Sequence, residues 1–144
     1  MIYFLRHGDA ERETTDDAAR RLTSKGERQA QAAGRALATL EAEIDVCLTS
    51  PKVRAEQTAR IVCQHLDVAV EIAEELRGGP FDALALAAGH GDVLLVGHEP
   101  DFSNSVADLT GARVKLRKGG LACVEDNLLH GLLRPKELRS IAAI

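Results

Sequence analysis

At 144 residues the chain is long enough to bury a hydrophobic core and too short for two ordinary domains, so residues 1–144 are predicted to form a single domain. Its 18 basic and 22 acidic residues give a net charge of −4, which argues against nucleic acid or an anionic membrane surface as a partner. No apolar run approaches the roughly 18 residues of a membrane span, and the first residue leads straight into an apolar stretch without a basic leader, so we expect a cytoplasmic protein.

The cysteines argue against two further classes of protein, those built on disulfides and those that bind zinc. Cys47, Cys63 and Cys123 are odd in number, widely spaced and outside any C-x-x-C pair. This spacing argues against a disulfide framework and against a zinc site. We therefore expect the three thiols to be small groups of the hydrophobic core.

The chain begins with a short apolar run that ends at Arg6-His7-Gly8. Residues 2–5 are aromatic or branched and predict a buried strand. In open α/β sheets, ligands bind at the carboxyl ends of the strands. Arginine offers a planar donor fork for phosphate or carboxylate, and histidine serves as a nucleophile, a base or a metal ligand. The triplet alone fits a surface arginine beside an ordinary histidine equally well, because three residues are a weak motif.

A polar loop and a helix follow this strand. Residues 10–21 are charged and aperiodic, which predicts a loop over the end of the first strand. Ser24 and Glu27 stand at capping-box spacing, and small apolar residues then recur at steps of three and four, which predicts a helix packed closely on a sheet. The acidic residues of the loop are expected to be solvated unless one of them reaches the site. They are Glu11, Glu13, Asp16 and Asp17.

A second strand, residues 44–49, leads into a second helix. Ser50-Pro51 is predicted to start that helix, because serine caps helices and proline has no amide hydrogen to lose in the first turn. Arg54 then lies about one turn into the helix, near the strand-to-helix junction.

The most apolar stretch of the chain, residues 92–97, is typical of a central parallel strand and stops at His98. Glu99-Pro100 is predicted to open the next helix. Shorter elements complete the pattern. These are a strand at 68–72, a short helix at 81–89, one or two antiparallel strands among 114–116, 121–125 and 128–133, and a tail at 135–144 docked by Leu138 and Ile141. Strands that alternate with helices predict an α/β fold, a three-layer α/β/α sandwich with a mixed, mostly parallel sheet.

Two histidines therefore stand in equivalent places, His7 and His98, each directly after a buried strand. If those strands are neighbours, Arg6, His7, Arg54 and His98 converge on one crevice. Such a cluster repels itself unless an anion is bound, and nearby helix amino termini favour an anion as well. The sequence thus predicts a phosphate site. The other histidines are expected to be ordinary surface or core residues, and they are His65, His90 and His130.

Four segments in this order resemble the histidine phosphatase superfamily, which also contains the cofactor-dependent phosphoglycerate mutases. The small size of the chain, with Arg6-His7-Gly8-Asp9-Ala10 and Arg54-Ala55-Glu56-Gln57-Thr58, is most similar to the SixA-type phosphohistidine phosphatases. The four segments are Arg6-His7-Gly8, Leu22-Thr23-x-x-Gly26, Ser50-Pro51-x-x-Arg54-Ala55-x-x-Thr58-Ala59 and Val96-Gly97-His98-Glu99-Pro100.

The resemblance implies a phosphoglycerate mutase-like fold and a hydrolase that acts on phosphoryl groups. His7 would attack phosphorus and carry a covalent phosphohistidine. Arg6, Arg54 and a protonated His98 would bind the phosphoryl oxygens, so that neither a metal nor another cofactor is needed.

The resemblance is incomplete at the general acid. Many relatives carry a glutamate after the third strand that protonates the leaving oxygen. Glu74 and Glu75 are the candidates here, and neither falls clearly in register with the family acid.

Three functions stay open on the sequence. The first is a phosphatase for phosphohistidine on proteins, and the second is a phosphatase for a small phosphomonoester. The third is a phosphate-binding module without turnover, against which the intact set of four central residues argues.

Overall fold

A mixed six-stranded sheet forms the centre of the molecule, in a computed structural model that describes residues 1–12 and 16–144. Its strands are β1 (Ile2–Arg6), β2 (Val46–Thr49), β3 (Val70–Ile72), β4 (Val93–Gly97), β5 (Leu121–Glu125) and β6 (Leu128–Leu133). They lie in the order β3-β2-β4-β1-β5-β6. The first four in space are mutually parallel, whereas β5 and β6 are antiparallel additions beside β1, as predicted for the end of the chain.

Helices cover both faces of the sheet. They are α1 (Ser24–Thr39), α2 (Val53–Gln64), α3 (Ala83–Ala87), α4 (Asp101–Thr110) and α5 (Pro135–Ala142), with 3₁₀ turns at Asp17–Ala19 and Glu74–Leu76. Because side chains alternate along a strand, Phe4 and Leu5 of β1 enter different cores. Phe4 packs against α3 and α4, with an edge-to-face contact to Phe102 at 5.3 Å between ring centroids. Leu5 packs with residues of α1, α2 and α5. The predicted three-layer α/β/α sandwich is confirmed.

Both predicted helix starts in the first half are displaced from their true positions. Thr23, not Ser24, caps α1, because its hydroxyl oxygen accepts the Gly26 amide. α2 begins at Val53 rather than at Ser50-Pro51. The Ser50 hydroxyl accepts the Lys52 amide outside the helix instead of capping it.

Of the three stretches predicted to supply one or two antiparallel strands, residues 121–125 and 128–133 form β5 and β6, as predicted. Residues 114–116 form no strand, because the Leu116 amide donates to the Glu99 carboxylate and the Leu116 carbonyl accepts from Arg6, so that side chains take the bonds of a sheet ladder. The predicted tail at 135–144 is largely the helix α5. Leu138 docks it, as expected, and is fully buried in the core beside α1.

None of the helices in the described parts of the chain is long and apolar enough to cross a bilayer.

Candidate active site

The sheet brings the predicted site residues to one edge. β1 and β4 are neighbours in parallel register, with Arg6 opposite Gly97, and β2 lies on the other side of β4. His7, His98 and Ser50 therefore each follow directly after one of three adjacent strands at their carboxyl ends. The strands that precede His7 and His98 are therefore neighbours, as the predicted convergence of the site residues required.

His7 is almost completely buried, with 4% of its surface exposed. Its Nδ1 lies 2.7 Å from the Gly8 carbonyl oxygen, and a carbonyl can only accept, so Nδ1 carries the ring proton of a neutral His7. The other ring nitrogen, Nε2, then holds a lone pair, and Arg54 Nε faces it at 3.4 Å. A histidine in this tautomer presents a nucleophilic nitrogen to the cluster of cations.

Burial lowers the pKa of His7 to about 4, and the guanidiniums of Arg54 and Arg6 act in the same direction, against the opposing hydrogen bond to Gly8. At neutral pH the ring is therefore uncharged. A protonated imidazole has no lone pair for attack on phosphorus, so the environment keeps His7 in its reactive form.

Arg54 is the second residue of α2 and is 6% exposed. Its Nη1 donates to the Asp17 carbonyl oxygen at 2.9 Å, and its Nη2 donates to the Asp17 carboxylate at 3.3 Å. Lys52 Nζ contacts the same carboxylate oxygen at 3.3 Å. Asp17 thus holds the outer edge of the guanidinium while Nε is directed at His7.

Arg6 is held from the opposite side. Its Nη1 donates to the Leu116 carbonyl oxygen at 3.0 Å, and the Leu116 amide in turn donates to Glu99. No described residue accepts from the buried Arg6 Nε. Because a buried N–H is costly without an acceptor, this nitrogen is suited to bind an anion.

His98 lies across the site from His7, with ring centroids 5.2 Å apart. A hydrogen bond of 2.8 Å joins its Nε2 to Ser50 Oγ and so fixes the ring. Burial, followed by the proximity of His7 and Arg54, lowers the pKa of His98 to about 3. The ring is therefore neutral without a ligand, which differs from the protonated His98 expected from the sequence. A bound phosphate dianion beside it would raise this pKa, because opposite charges favour the protonated ring.

Other residues of the four segments that resemble the superfamily hold the turn around His7 in place. The Gly8 amide donates to Thr58 Oγ1 at 3.1 Å, and Thr58 Oγ1 donates to the Arg54 carbonyl oxygen at 2.8 Å, so one hydroxyl ties the end of β1 to the first turn of α2. A Cβ at Gly26 would lie 2.0 Å from the Asp9 carbonyl oxygen. Only glycine therefore lets α1 begin directly against the nucleophile loop.

Known proteins similar to this chain identify its family. Residues 2–85 match the sequence model of the histidine phosphatase superfamily (branch 1). The chain belongs to this superfamily.

Its relatives include the phosphohistidine phosphatase SixA homolog of Haemophilus influenzae, 36% identical over 78% of this chain and 78% of that protein. The phosphohistidine phosphatase SixA of Escherichia coli is 31% identical over 76% of this chain and 73% of that protein. A solved structure of the protein histidine phosphatase SixA with tungstate is 26% identical, with a TM-score of 0.81 over 95% of this chain and 98% of that one. The chain is a SixA-type histidine phosphatase, a hydrolase acting on phosphoryl groups, and its phosphoglycerate mutase-like fold is confirmed.

The two candidate general acids of this histidine phosphatase lie in the 3₁₀ turn after β3, and both are exposed. The Glu74 carboxylate accepts from Arg77 Nη2 at 3.0 Å. Both carboxyl groups are therefore in contact with water rather than enclosed in the site. An acid role for Glu74 or Glu75 stays a prediction.

Asp17 is the site residue that the sequence interpretation mostly missed, since the acidic residues of its loop were expected to be solvated. Its carboxylate stays partly exposed, and although burial raises its pKa, Arg54 and Lys52 outweigh that effect and lower it. Thirty-seven residues separate Asp17 from Arg54, and the loop has no periodicity that could have revealed the contact. Another of these acidic residues, Glu13, lies outside the described residues.

Over residues 1–12 and 16–144, no three histidine, cysteine or acidic side chains cluster in a way that could hold a metal ion. Of the three cysteines, Cys47 and Cys63 are buried and Cys123 is partly buried.

Proposed function

We propose that this histidine phosphatase hydrolyses phosphohistidine on proteins, through a covalent phosphoryl intermediate on His7. The observation that carries the proposal is the state of His7. It is buried and neutral, its Nδ1 is bonded to the Gly8 carbonyl, and its Nε2 lone pair is directed toward Arg54.

In the first step, His7 Nε2 attacks phosphorus in line, and the P–N bond to the substrate histidine breaks. The departing imidazole nitrogen takes its proton from solvent. In the second step, water attacks phosphorus on His7, which releases inorganic phosphate and restores the ring. Splitting one displacement into two easier ones is the general advantage of a covalent intermediate.

Arg6, Arg54 and His98 are proposed to bind the three phosphoryl oxygens during both steps. Catalysis of phosphoryl transfer rests almost entirely on positioning and on stabilising charge at those oxygens. Two guanidiniums supply the positive charge, and His98 adds to it once a bound dianion favours its protonation. The proposal therefore needs no metal ion.

The substrate class is supported by two observations. Relatives that cover most of this chain are named phosphohistidine phosphatases. The exposed positions of Glu74 and Glu75 favour a leaving group that does not need an enzyme acid. Imidazole is such a group, whereas an alkoxide gains about 10² to 10⁴ in rate from a positioned acid.

A substrate panel tests the proposal. We expect kcat/KM to be highest for a protein carrying phosphohistidine, intermediate for p-nitrophenyl phosphate and lowest for glycerol phosphate, with no hydrolysis of any of them by His7→Ala. If glycerol phosphate is hydrolysed as efficiently as phosphohistidine, the small-phosphomonoester function replaces this one. If the parent binds phosphate but turns over none of the three, the protein is a binding module.

A further inference from the structure

A groove of about 570 Å³ runs from the active site across the amino end of α1, the segment before β5 and the start of α5. Of its lining residues, eight are lysine or arginine and one, Asp9, is acidic. This excess stands out in a chain whose net charge is −4. We call it the basic groove, and its exposed cations are Lys25, Lys115, Arg117, Lys118, Arg134, Lys136 and Arg139.

Arg6 belongs both to the lining of the groove and to the predicted phosphate site. The Gly119 amide donates to the carbonyl oxygens of both Arg6 and His7, at 3.1 and 3.0 Å. The Leu116 carbonyl accepts from the Arg6 guanidinium. The segment that forms one wall of the groove is therefore bonded directly to the residues Arg6 and His7, and the groove lies beside the phosphate site.

Most of the cations of the groove form no ion pair with a described carboxylate. Lys118 pairs with Asp9 at 3.4 Å, and Arg134 pairs with Glu137 at 2.9 Å. No described carboxylate lies within 4 Å of the remaining exposed cations of the groove. Like charges held together raise the local potential and attract an anionic partner.

The chemistry of the lining favours carboxylates on a polypeptide. Sequence-independent binding of single-stranded nucleic acid combines basic residues with aromatic side chains on which bases stack. The lining contains no aromatic residue, and its apolar members are Leu116 and Pro135. What it offers is a row of mobile cations beside a site for one phosphoryl group.

We propose that the basic groove binds acidic residues that flank the phosphohistidine of the protein substrate. The inference rests on the proposed function and adds the surface chemistry of the partner. Exposed charges at the rim of an interface mainly accelerate association, and salt weakens their effect. The groove is therefore expected to act on kcat/KM and to leave kcat at saturation nearly unchanged.

Two matched phosphohistidine peptides test the proposal, one flanked by glutamates and the other by glutamines at the same positions. We expect the parent to hydrolyse the acidic peptide with a kcat/KM about tenfold higher at low ionic strength, which falls within the range known for electrostatic steering. The difference should shrink as salt is added.

The variant Lys136→Glu/Arg139→Glu reverses two exposed charges on α5 without touching the active site. It should lose the preference for the acidic peptide and keep the parental rate with p-nitrophenyl phosphate, which also shows that it is folded. The control Arg35→Glu/Arg60→Glu makes the same change in net charge at exposed positions outside the groove. It should keep the preference.

The failures of the two proposals are distinguishable. Equal rates for both peptides in the parent, or an unchanged preference in Lys136→Glu/Arg139→Glu, would overturn the groove assignment and leave the proposed function standing. If neither peptide is hydrolysed while p-nitrophenyl phosphate is, the proposed function fails and the groove assignment with it. If an RNA oligonucleotide inhibits at lower concentration than the unphosphorylated acidic peptide, the groove belongs to nucleic acid and our assignment is wrong.

Discussion

Two groups of cationic or basic side chains lie side by side in this phosphatase and differ chiefly in burial. In the active site, His7, Arg54 and His98 are buried and fixed by hydrogen bonds, and the pKa values of the two histidines are strongly lowered. In the basic groove, the lysines and arginines are exposed and mostly unpaired with described carboxylates. Burial fixes the positions of these side chains and keeps the His7 ring neutral, and the proposed attack on phosphorus requires both. Exposure leaves charges hydrated and mobile, which is enough to attract a partner but not to orient a reaction.

The largest predicted effect comes from removing a buried cation. Arg54→Ala should lower kcat/KM by about 10² to 10³, because a preorganised donor to developing charge is worth that much. Steady-state kinetics with phosphohistidine protein would measure it. Arg60→Ala, which removes an exposed arginine from the same helix, is the matched control and should stay near the parental rate. A loss for Arg54→Ala no larger than for Arg60→Ala would remove Arg54 from the phosphate site.

A smaller effect is predicted for carboxyl groups that belong to neither region. Glu74→Gln and Glu75→Gln should each lower hydrolysis of phosphohistidine less than about tenfold, because imidazole leaves without an enzyme acid. The two variants should be assayed in parallel on phosphohistidine and on p-nitrophenyl phosphate. Loss of most activity in Glu75→Gln would identify Glu75 as the general acid and would favour a phosphomonoester substrate.

The last predicted effect is on stability rather than on activity, and it separates buried from exposed histidines. The pKa values of His7 and His98 are lowered by folding, so the unfolded chain binds more protons than the native one at mildly acidic pH. The free energy of unfolding should therefore fall as pH drops from about 7 toward 4. Urea titrations across this range should show a shallower fall in His98→Gln. The control His130→Gln removes an exposed ring and should keep the parental slope; equal slopes in all three proteins would contradict the buried, neutral state.

The sequence was sufficient to predict that Arg6, His7, Arg54 and His98 come together, because each ends a strand, follows one or lies in the first turn of a helix, and because the carboxyl ends of parallel strands meet at one edge. Arg6, His7 and His98 are placed by buried runs that are easy to recognise. Arg54 is placed by the turn after β2. It lies beside His7 as predicted, although α2 begins at Val53 and not at Ser50-Pro51. Local sequence patterns were enough for these residues, because each lies next to the end of a strand and so reaches the carboxyl edge of the sheet with that strand.

Groups that come together across the fold were not predictable in the same way. Asp17 reaches Arg54 from an aperiodic loop, and Ser50 serves His98 rather than capping a helix. The basic groove is formed by segments near residues 6, 25, 117 and 136, which are far apart in the sequence. The net charge of the whole chain therefore gave no sign of it. One error was avoidable: Pro135 at the start of α5, with Glu137 accepting the Arg134 amide, is a recognisable helix start.

The covalent role of His7 is the central claim, and the site of phosphorylation during turnover tests it most directly. Enzyme quenched in alkali while it hydrolyses phosphohistidine protein preserves phosphohistidine, and trypsin cleavage after Arg6 and Arg12 isolates His7 as the one histidine of residues 7–12. We predict an acid-labile phosphate on that peptide, present in the parent and absent from His7→Ala. Phosphate on the peptide that contains His98, or steady turnover with no phosphoenzyme at all, would contradict the mechanism.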